Sequence, residues 1–269
     1  MIAPMLTTAG EVTSLEEFIF DDKWLMEQKL DGHRVILHSL NQGKPPTAIT
    51  RGGTPYTKSL PFPVARARFP KGEWILDGEL VGGTYWVFDI LAAAGQDLLK
   101  ETQAVRRLWL EHGLATFKHP FKIVPQADTH WHKTRLAERS LDENFEGLVL
   151  KRIDAKYQYN VRSHLWVKIK YTHTADVVVM DLRDDGKQSV KLGVFAGGEL
   201  HEVGRASLLG KEKTHRITKG DVLEVRYLNV GNGQRLVQPT ILRVRNDKTP
   251  QECTTEQLKT VNKTVLESL

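Results

Sequence analysis

Short apolar runs separated by turn residues recur along the chain and predict strands. Two segments in the first part of the chain have helical spacing instead, which predicts helices over 97–112 and around 133–141. A capping box that begins at Ser14 predicts another short helix. The strands predicted in this part are Trp24–Lys29, Val35–His38, Thr47–Thr50, Trp74–Val81, Tyr85–Leu91, Phe121–Pro125, Phe145–Arg152 and Trp166–Lys170.

The pattern changes after a predicted linker at Tyr171–Ala175. Five strands in about 70 residues favour a small barrel, with the OB-fold as the first candidate. A terminal helix is predicted near Thr255–Leu266. The predicted domains are therefore 1–171 and 172–269, the second with a C-terminal helix. Its predicted strands are Val177–Leu182, Val190–Phe195, Leu200–Arg205, Val222–Val230 and Arg235–Arg245.

Composition describes an ordinary globular protein. The hydrophobic fraction is 40% and the charged fraction 26%. The length of 269 residues is enough for two domains. The net charge of +5 weakly favours a polyanionic partner. The single cysteine, Cys253, rules out an internal disulfide and a thiolate metal cage. Because we find neither a signal peptide nor an apolar run of about 18 residues, we expect a cytoplasmic protein without a membrane span.

The segment Glu27–Arg34 is the strongest candidate for chemistry. Alternate side chains of an extended segment share a face, so Lys29 and Asp31 can point the same way. Gly32 would let a ligand approach the backbone. An amine beside a carboxylate can be a covalent nucleophile with a charge or metal partner. A surface ion pair followed by a turn is the alternative interpretation.

An acidic hairpin follows. Asp77, Glu79 and Asp89 lie within apolar strands, where a carboxylate is costly to bury without a partner. This makes Glu79 and Asp89 candidates for a binding site. An edge hairpin with one solvated face is the alternative.

Lysines alternate with apolar residues near the end of the first part. Lys168 and Lys170 share one face of a predicted strand, where an anion such as a phosphate or plain solvent would lie between them. His130 and His132 have the spacing of two metal ligands. We interpret them as a surface pair, because no further ligand is spaced to complete a zinc site.

Three basic segments are candidates for phosphate or nucleic-acid contacts. The glycines after Arg51 would let the backbone bend close to a bound group, although a hairpin turn explains them too. Pro61–Pro70 and Leu208–Thr218 could contact phosphates or be solvated loops. Their basic residues are Arg66, Arg68, Lys211, Lys213 and Arg216.

Taken in order, these segments resemble the ATP-dependent DNA ligases of the covalent nucleotidyltransferase superfamily. Each motif is weak alone, but seven in the family's order from Lys29 to Lys248 make coincidence very unlikely. They are K-x-D-G-x-R at Lys29, Asp31, Gly32 and Arg34, R-G at Arg51-Gly52, D-G-E at Asp77-Gly78-Glu79, Phe88-Asp89, E-G-x-x-x-K at Glu146, Gly147 and Lys151, the pair Lys168 and Lys170, and R-x-D-K at Arg245, Asp247 and Lys248.

The resemblance implies a reaction. Lys29 would attack the α-phosphate of ATP to form lysyl-AMP, AMP would pass to the 5′-phosphate of a nick, and the 3′-hydroxyl would displace AMP. It implies ATP and Mg²⁺ or Mn²⁺ as cofactors, nicked double-stranded DNA as the partner, a monomer, and roles in DNA repair, replication and recombination. The implied fold is α+β, a nucleotidyltransferase (ATP-grasp-like) domain of antiparallel sheets with flanking helices, followed by an OB-fold barrel.

The resemblance also implies a role for each residue. The catalytic residues would be Lys29, Asp31, Lys168 and Lys170, and the metal ligands Glu146 and Asp31. Glu27 would bind the adenine amino group, Phe88 would stack on the base, and Glu79 would bind the ribose. Arg34 and Arg51 would lie near the sugar and phosphate, and Glu146 and Lys151 would also bind the nucleotide. The pyrophosphate would be bound by Arg245, Asp247 and Lys248. The last three would swing over ATP and away again, with the linker as the hinge.

Only 28 residues precede Lys29, so we expect a minimal two-domain ligase that holds DNA through the basic segments. An mRNA capping guanylyltransferase and an RNA ligase are the alternative enzymes. A catalytically inactive module that binds nicks is the alternative from another class.

Overall fold

The computed structural model describes residues 3–10, 15–40, 44–58, 60–115, 121–183, 188–208 and 217–269, apart from the side chain of residue 183. Contacts divide the chain into two units, Met1–Lys170 with Lys263–Leu269, and Tyr171–Asn262. This division assigns the last stretch of the chain to the first unit. The predicted domain boundary between residues 171 and 172 stays a prediction.

The described residues of the first unit form two sheets and four helices. The five-stranded sheet has the order β1-β11-β10-β2-β9, and the other has the order β4-β3-β5-β6-β7 with β8 paired to β6. The strands are β1 Leu6–Gly10, β2 Trp24–Gln28, β3 His33–Ser39, β4 Thr47–Thr50, β5 Trp74–Val81, β6 Thr84–Ala93, β7 Gln96–Asp97, β8 Phe121–Ile123, β9 Gln126–Ala127, β10 Gly147–Arg152 and β11 Arg162–Lys170. The helices are α1 Leu15–Phe20, α2 Phe62–Ala65, α3 Gln103–Leu114 and α4 His130–Asp142.

Side-chain alternation along β3 explains how the second sheet is covered. Val35 and Leu37 pack on one face in a core that includes Leu110 of α3. Ile36 packs on the opposite face with Trp166 of the five-stranded sheet. Strand β3 is therefore apolar on both faces, which the two-residue period requires of a strand covered on both sides.

The two longer helices, α3 and α4, begin where a threonine side chain caps them. The Thr102 hydroxyl accepts a hydrogen bond from the Val105 N–H at 3.3 Å, so α3 begins after residue 102 rather than at the predicted 97. The Thr129 hydroxyl accepts from the His132 N–H at 3.2 Å, so α4 begins earlier than predicted.

The sheets of the first unit are mixed rather than purely antiparallel as predicted. Strand β1 pairs with β11 in parallel, and β8 pairs with β6 in parallel. The sequence pattern indicates strands but not the direction in which distant strands pair, because both arrangements bury the same alternating face.

The second unit is built on a five-stranded antiparallel sheet of order β14-β13-β12-β15-β18. Its edge strands β14 and β18 approach each other, but no ladder joins them in the described part of this unit. The predicted OB-fold barrel therefore stays a prediction. The strands are β12 His173–Arg183, β13 Ser189–Ala196, β14 Glu199–Ser207, β15 Val222–Tyr227, β16 Asn229–Val230, β17 Leu236–Val237 and β18 Thr240–Val244.

Two predicted boundaries in this unit were wrong. The strand predicted over Arg235–Arg245 is broken where Gln238 has a φ of 52° and Pro239 cannot donate to a ladder. The linker predicted at Tyr171–Ala175 is partly strand, because β12 begins at His173 and pairs with β15 from its first residue.

The helix predicted near Thr255–Leu266 does not form. A 3₁₀ turn spans Thr255–Gln257, and no helix follows it. The Gln257 side chain instead binds the backbone of Asp176, accepting from its N–H and donating to its carbonyl, both at 2.8 Å. These tertiary bonds hold the segment against β12, and tertiary contacts commonly override a weak helical pattern. In the described part of the chain, no helix is long and apolar enough to cross a bilayer.

Candidate active site

A cavity of about 490 Å³ opens in the first unit, with walls from both of its sheets. The five-stranded sheet lines it with residues such as Glu27, Val149 and Lys168, and the other sheet with residues such as Arg34, Glu79 and Phe88. These side chains come from segments more than a hundred residues apart.

Strand register explains why these residues meet. Val149 of β10 lies opposite Glu27 of β2 on one side and opposite Lys168 of β11 on the other. Residues directly opposite one another in a sheet project from the same face. Lys151 and Lys170 lie two positions further along their strands and therefore line the same wall.

The cluster around Glu146 is the most polar part of the cavity. The Glu146 carboxylate bridges two ammonium groups, with Oε2 2.6 Å from Lys29 Nζ and Oε1 2.9 Å from Lys170 Nζ. The three side chains are between 12% and 29% exposed, so they are shielded but open to a ligand.

Gly147 makes this bridge possible. It lies opposite Lys170 in the ladder, and its carbonyl accepts the Lys29 N–H at 2.9 Å. Its φ is +146°, and a Cβ there would lie 2.0 Å from the Ile169 carbonyl oxygen. Glycine is therefore required at this position. A side chain there would push β10 away from β11, and with it Glu146 away from Lys170.

Lys168 lies half-buried among other cations. Burial, followed by the positive charges of Arg51 and Lys170, lowers the pKa of its ammonium group from the ordinary value. An anion bound in the cavity would relieve this repulsion. The arrangement is therefore suited to phosphate.

Glu27 is held by two donors. Lys151 Nζ lies 2.7 Å from its Oε2, and the Gln126 amide nitrogen donates to its Oε1 at 2.7 Å. Lys151 also donates to the Phe88 carbonyl at 2.8 Å and lies 4.8 Å from the Phe88 ring centroid. Lys151 thus contacts both Glu27, which is predicted to bind the adenine amino group, and Phe88, which is predicted to stack on the base. Sequence reasoning missed Gln126, because a polar residue in a two-residue strand carries no signal.

Arg34 is fixed by the acidic hairpin. Its guanidinium binds Asp77 through both oxygens, at 3.0 and 2.6 Å, and Tyr157 donates its hydroxyl to Asp77 at 2.7 Å. Burial would lower the pKa of Arg34, but the Asp77 charge raises it above the ordinary value. The guanidinium also lies 5.2 Å from the Phe88 ring centroid and 5.9 Å from that of Trp166.

Glu79 lies opposite Arg34 in the ladder. Burial raises the pKa of its carboxyl to about 7, against the opposing positive charges of Lys29 and Arg34. A carboxyl of this pKa changes protonation near neutrality and can accept or donate a hydrogen bond to a hydroxyl.

Gly32 allows the nucleophile segment to pass close to the second sheet. A Cβ at this position would lie 2.3 Å from the Leu80 carbonyl oxygen. The glycine is therefore needed for close packing against β5, and it also lines the cavity in which the sequence predicts a ligand.

Asp89 does not belong to the site. Both of its oxygens bind the Arg106 guanidinium, at 2.8 and 2.9 Å, and both side chains are fully buried. The partner that we expected for a carboxylate in an apolar strand is therefore a structural arginine on α3. Sequence reasoning missed Arg106, because the apolar spacing that predicts this helix gives no information about its polar residues.

The motif residues of the second unit form their own network. Arg245 binds Asp247 through both oxygens, at 2.9 and 2.8 Å. Asp176 binds Arg245 at 3.0 Å and Lys248 at 2.5 Å. Sequence reasoning missed Asp176, which begins the predicted barrel without a recognisable motif.

The predicted metal residues differ in their surroundings. Both residues line the cavity, but Asp31 is paired with Lys263 Nζ at 2.9 Å, whereas Glu146 lies between Lys29 and Lys170. His132 binds Asp128 at 3.5 Å on the surface of α4. Among the described residues, no three histidine, cysteine or acidic side chains cluster to hold an ion. Only Glu146 fits a metal held mainly by phosphate oxygens and water.

Arg66 and Arg68, two of the residues predicted to contact DNA, lie outside the cavity lining. Arg66 and Arg68 are exposed beyond α2, and the Arg66 guanidinium lies 4.4 Å from the Phe62 ring centroid. Lys211, Lys213 and Arg216 lie outside the described residues.

Comparisons with known proteins agree on one family. The model of the ATP dependent DNA ligase domain matches residues 82–170. The multifunctional non-homologous end joining protein LigD of Mycolicibacterium smegmatis is 29% identical over 93% of this chain and 39% of its own length. The chain is similar to ATP-dependent DNA ligases. The resemblance found in the motifs is thereby confirmed.

Two further comparisons extend this relationship. A probable DNA ligase of Nocardioides sp. is 29% identical over 78% of this chain and 46% of its own length. A mycobacterial DNA ligase D structure, complexed with ATP and MES, matches with a TM-score of 0.54 at 24% identity, covering 94% of this chain and 97% of that chain. The chain thus spans 39% of the LigD protein of Mycolicibacterium smegmatis and 46% of the probable DNA ligase of Nocardioides sp.. The structural likeness supports the fold.

Proposed function

We propose that this chain is an ATP-dependent DNA ligase that seals 5′-phosphate/3′-hydroxyl nicks in duplex DNA through lysyl-AMP and DNA-adenylate intermediates. The observation that carries the proposal is the bridge from Lys29 through Glu146 to Lys170 in a cavity of about 490 Å³. It brings a primary amine, a carboxylate and phosphate-binding cations into one enclosed space.

We propose one orientation for the nucleotide in this cavity. The base would stack on Phe88 beside Glu27, the ribose hydroxyls would bind Glu79, and the phosphates would lie towards Lys168 and Lys170. The charges support this assignment, since the cations lining the phosphate end outnumber the carboxylates there.

Adenylation is then a substitution at phosphorus. The Lys29 amine, as its neutral form, attacks the α-phosphate, the P–N bond forms, and the bond to the β-phosphate oxygen breaks to release pyrophosphate. Lys168 and Lys170 would stabilise the charge on the transferred group. Phosphate oxygens would replace the Glu146 carboxylate as the partner of Lys170.

Mg²⁺, when bound, would supply further positive charge to the phosphates. Glu146 is the residue whose position fits that ion. Asp31, paired to Lys263, fits it less well. We propose that Asp31 acts mainly in holding the nucleophile segment.

DNA would be adenylated next. The 5′-phosphate would attack lysyl-AMP, return the amine to Lys29, and carry AMP until the 3′-hydroxyl displaces it. Arg245, Asp247 and Lys248 would orient the pyrophosphate leaving group during the first step, in an OB-fold that then contacts DNA. Exposed Arg66 and Arg68, with Lys211, Lys213 and Arg216, are the proposed phosphate contacts.

One assay tests the proposal directly. A nicked, end-labelled duplex is incubated with the protein, Mg²⁺ and either ATP, GTP or NAD, and the products are separated on a denaturing gel. We expect sealing with ATP alone. Sealing with NAD, or transfer of GMP to an RNA end without sealing, would contradict the proposal. A nick with RNA on its 3′ side distinguishes an RNA ligase.

A further inference from the structure

Residues 263–269, here called the tail segment, lie against the nucleophile segment of the same unit. The side-chain amide of Gln28, the residue before Lys29, makes two hydrogen bonds to the tail backbone. Its Nε2 donates to the Thr264 carbonyl at 2.7 Å, and its Oε1 accepts the Leu266 N–H at 3.0 Å. The amide therefore pairs with the tail as a peptide group would pair in a ladder.

Apolar side chains on the tail segment anchor these bonds. Leu266 is only 2% exposed. Val265 packs on a small core formed by Leu30, Trp86 and Val124. Because the two hydrogen bonds lie among buried groups, losing them would leave polar atoms unsatisfied.

Ion pairs complete the contact. Lys263 Nζ lies 2.9 Å from Asp31 Oδ2, and Lys122 Nζ lies 2.5 Å from Glu267 Oε1. The Lys263 and Glu267 side chains are 61% and 72% exposed. These ion pairs therefore help to orient the tail segment but contribute little to stability.

The contacts surround the nucleophile without touching it. The tail segment meets Gln28, Leu30 and Asp31, which are the residues on either side of Lys29. Lys29 itself bonds to Gly147 and Glu146 on the cavity side. A reacting amine misplaced by about 1 Å can lose about 10²-fold in rate. A support on both sides of this residue therefore has a direct chemical consequence.

We infer that the tail segment is a clamp that positions Lys29 for attack on the nucleotide. The inference rests on the proposed adenylation. Gln28, Val265 and Leu266 are positioning residues, because they act through the backbone of the nucleophile segment. Lys263 adds an ion pair to Asp31, two residues after Lys29.

The test measures the rate of adduct formation, the ATP dissociation constant and the sealing of a pre-adenylated nick in purified variants of the 269-residue chain. We expect Leu266→Asp to lower the single-turnover rate of adduct formation at saturating ATP by about tenfold or more. We expect its ATP dissociation constant to change by less than about twofold, because no tail residue lines the cavity. Sealing of a pre-adenylated nick should be unchanged, since Lys29 is not the nucleophile in that step.

Two variants make the test robust. Gln28→Leu removes both hydrogen bonds while keeping an apolar tail and should follow Leu266→Asp in direction. Ser268→Ala, an exposed change on the same segment, is the matched control and should behave as wild type. Hydrogen exchange at the Leu266 amide reports release of the tail independently of any reaction, and a thermal scan confirms that each variant is folded.

The outcomes are distinct. A folded variant whose Leu266 amide exchanges freely but which forms adduct at the wild-type rate overturns the clamp. Equal loss in adduct formation, ATP binding and sealing also overturns it, because that pattern indicates a general structural defect. A wild-type protein that forms no adduct with ATP rejects the proposed function itself, and the clamp's catalytic role with it.

Discussion

The Nζ atom of Lys29 lies 2.6 Å from Oε2 of Glu146, so the proposed nucleophile and the proposed metal ligand are paired with each other. The same carboxylate also holds Lys170. This pairing keeps three functional groups together in a partly desolvated site. Nucleotide binding must break it, because the amine has to face phosphorus.

Replacing this carboxylate should separate binding from chemistry. We expect Glu146→Gln to slow adduct formation by about 10²-fold, within the usual range for a positioned acid–base or metal-binding group. ATP affinity should not weaken, since a carboxylate that repels phosphates is removed. Single-turnover kinetics at several ATP concentrations would measure both. An adduct rate within a factor of about two of wild type would contradict the role.

Glu79 should make stability depend on pH. Burial raises the pKa of its carboxyl to about 7, from an unfolded value near 4.5. The folded state therefore holds the proton more tightly. Its stabilising effect is complete below about pH 4.5 and is lost as the pH rises through about 7.

The matched comparison is Glu79→Gln. Between pH 5 and pH 8 the wild type should lose about 1–3 kcal/mol of unfolding free energy relative to this variant, allowing for partial exposure. Denaturant titrations at both pH values would measure the difference. Parallel pH dependence in the two proteins would show that Glu79 titrates at an ordinary pKa.

The buried pair of Asp89 and Arg106 should be structural. We expect Asp89→Asn to cost about 3–5 kcal/mol of unfolding free energy, because it leaves a buried guanidinium without its counter-charge. Asp154→Asn removes the partner of Arg152 from an exposed pair and should change the unfolding free energy far less, because solvent screens that pair. Urea denaturation would measure both, and equal losses would contradict the assignment.

The motif network of the second unit should affect the first chemical step most. Asp247→Ala and Lys248→Ala should slow adenylation more than sealing of pre-adenylated DNA, since their proposed role is to orient pyrophosphate. Asp176→Asn should act in the same direction, because Asp176 holds both Arg245 and Lys248. Arg243→Gln, an exposed change on β18 shortly before the motif, serves as the control. Equal losses in the two assays would argue against this role.

The cavity was largely predictable because its residues repeat with the period of the strands. Lys168 and Lys170 alternate with Val167 and Ile169, and strand register then places them opposite β10. The sequence does not reveal which residues from distant segments of the chain pair with one another. The sequence indicates Asp89 as a candidate for a binding site, but in the structure Asp89 is paired with Arg106 of a separate helix.

The C-terminal segment shows the same limit more clearly. Its apolar spacing predicts a helix near Thr255–Leu266, yet Gln257 binds the backbone of β12 and a 3₁₀ turn forms. Gln28 offered no signal either, since its amide acts only through the Thr264 and Leu266 backbone. Long-range bonds of this kind outweigh local propensity and leave no local pattern.

Mapping of the adenylated residue tests the central claim most directly. The wild type and Lys29→Arg are incubated with labelled ATP and Mg²⁺, and the adduct is located by mass spectrometry of proteolytic peptides. We expect an acid-labile AMP adduct on Lys29 in the wild type and none in Lys29→Arg. An adduct that persists in Lys29→Arg, or that maps to another residue in the wild type, would contradict the account.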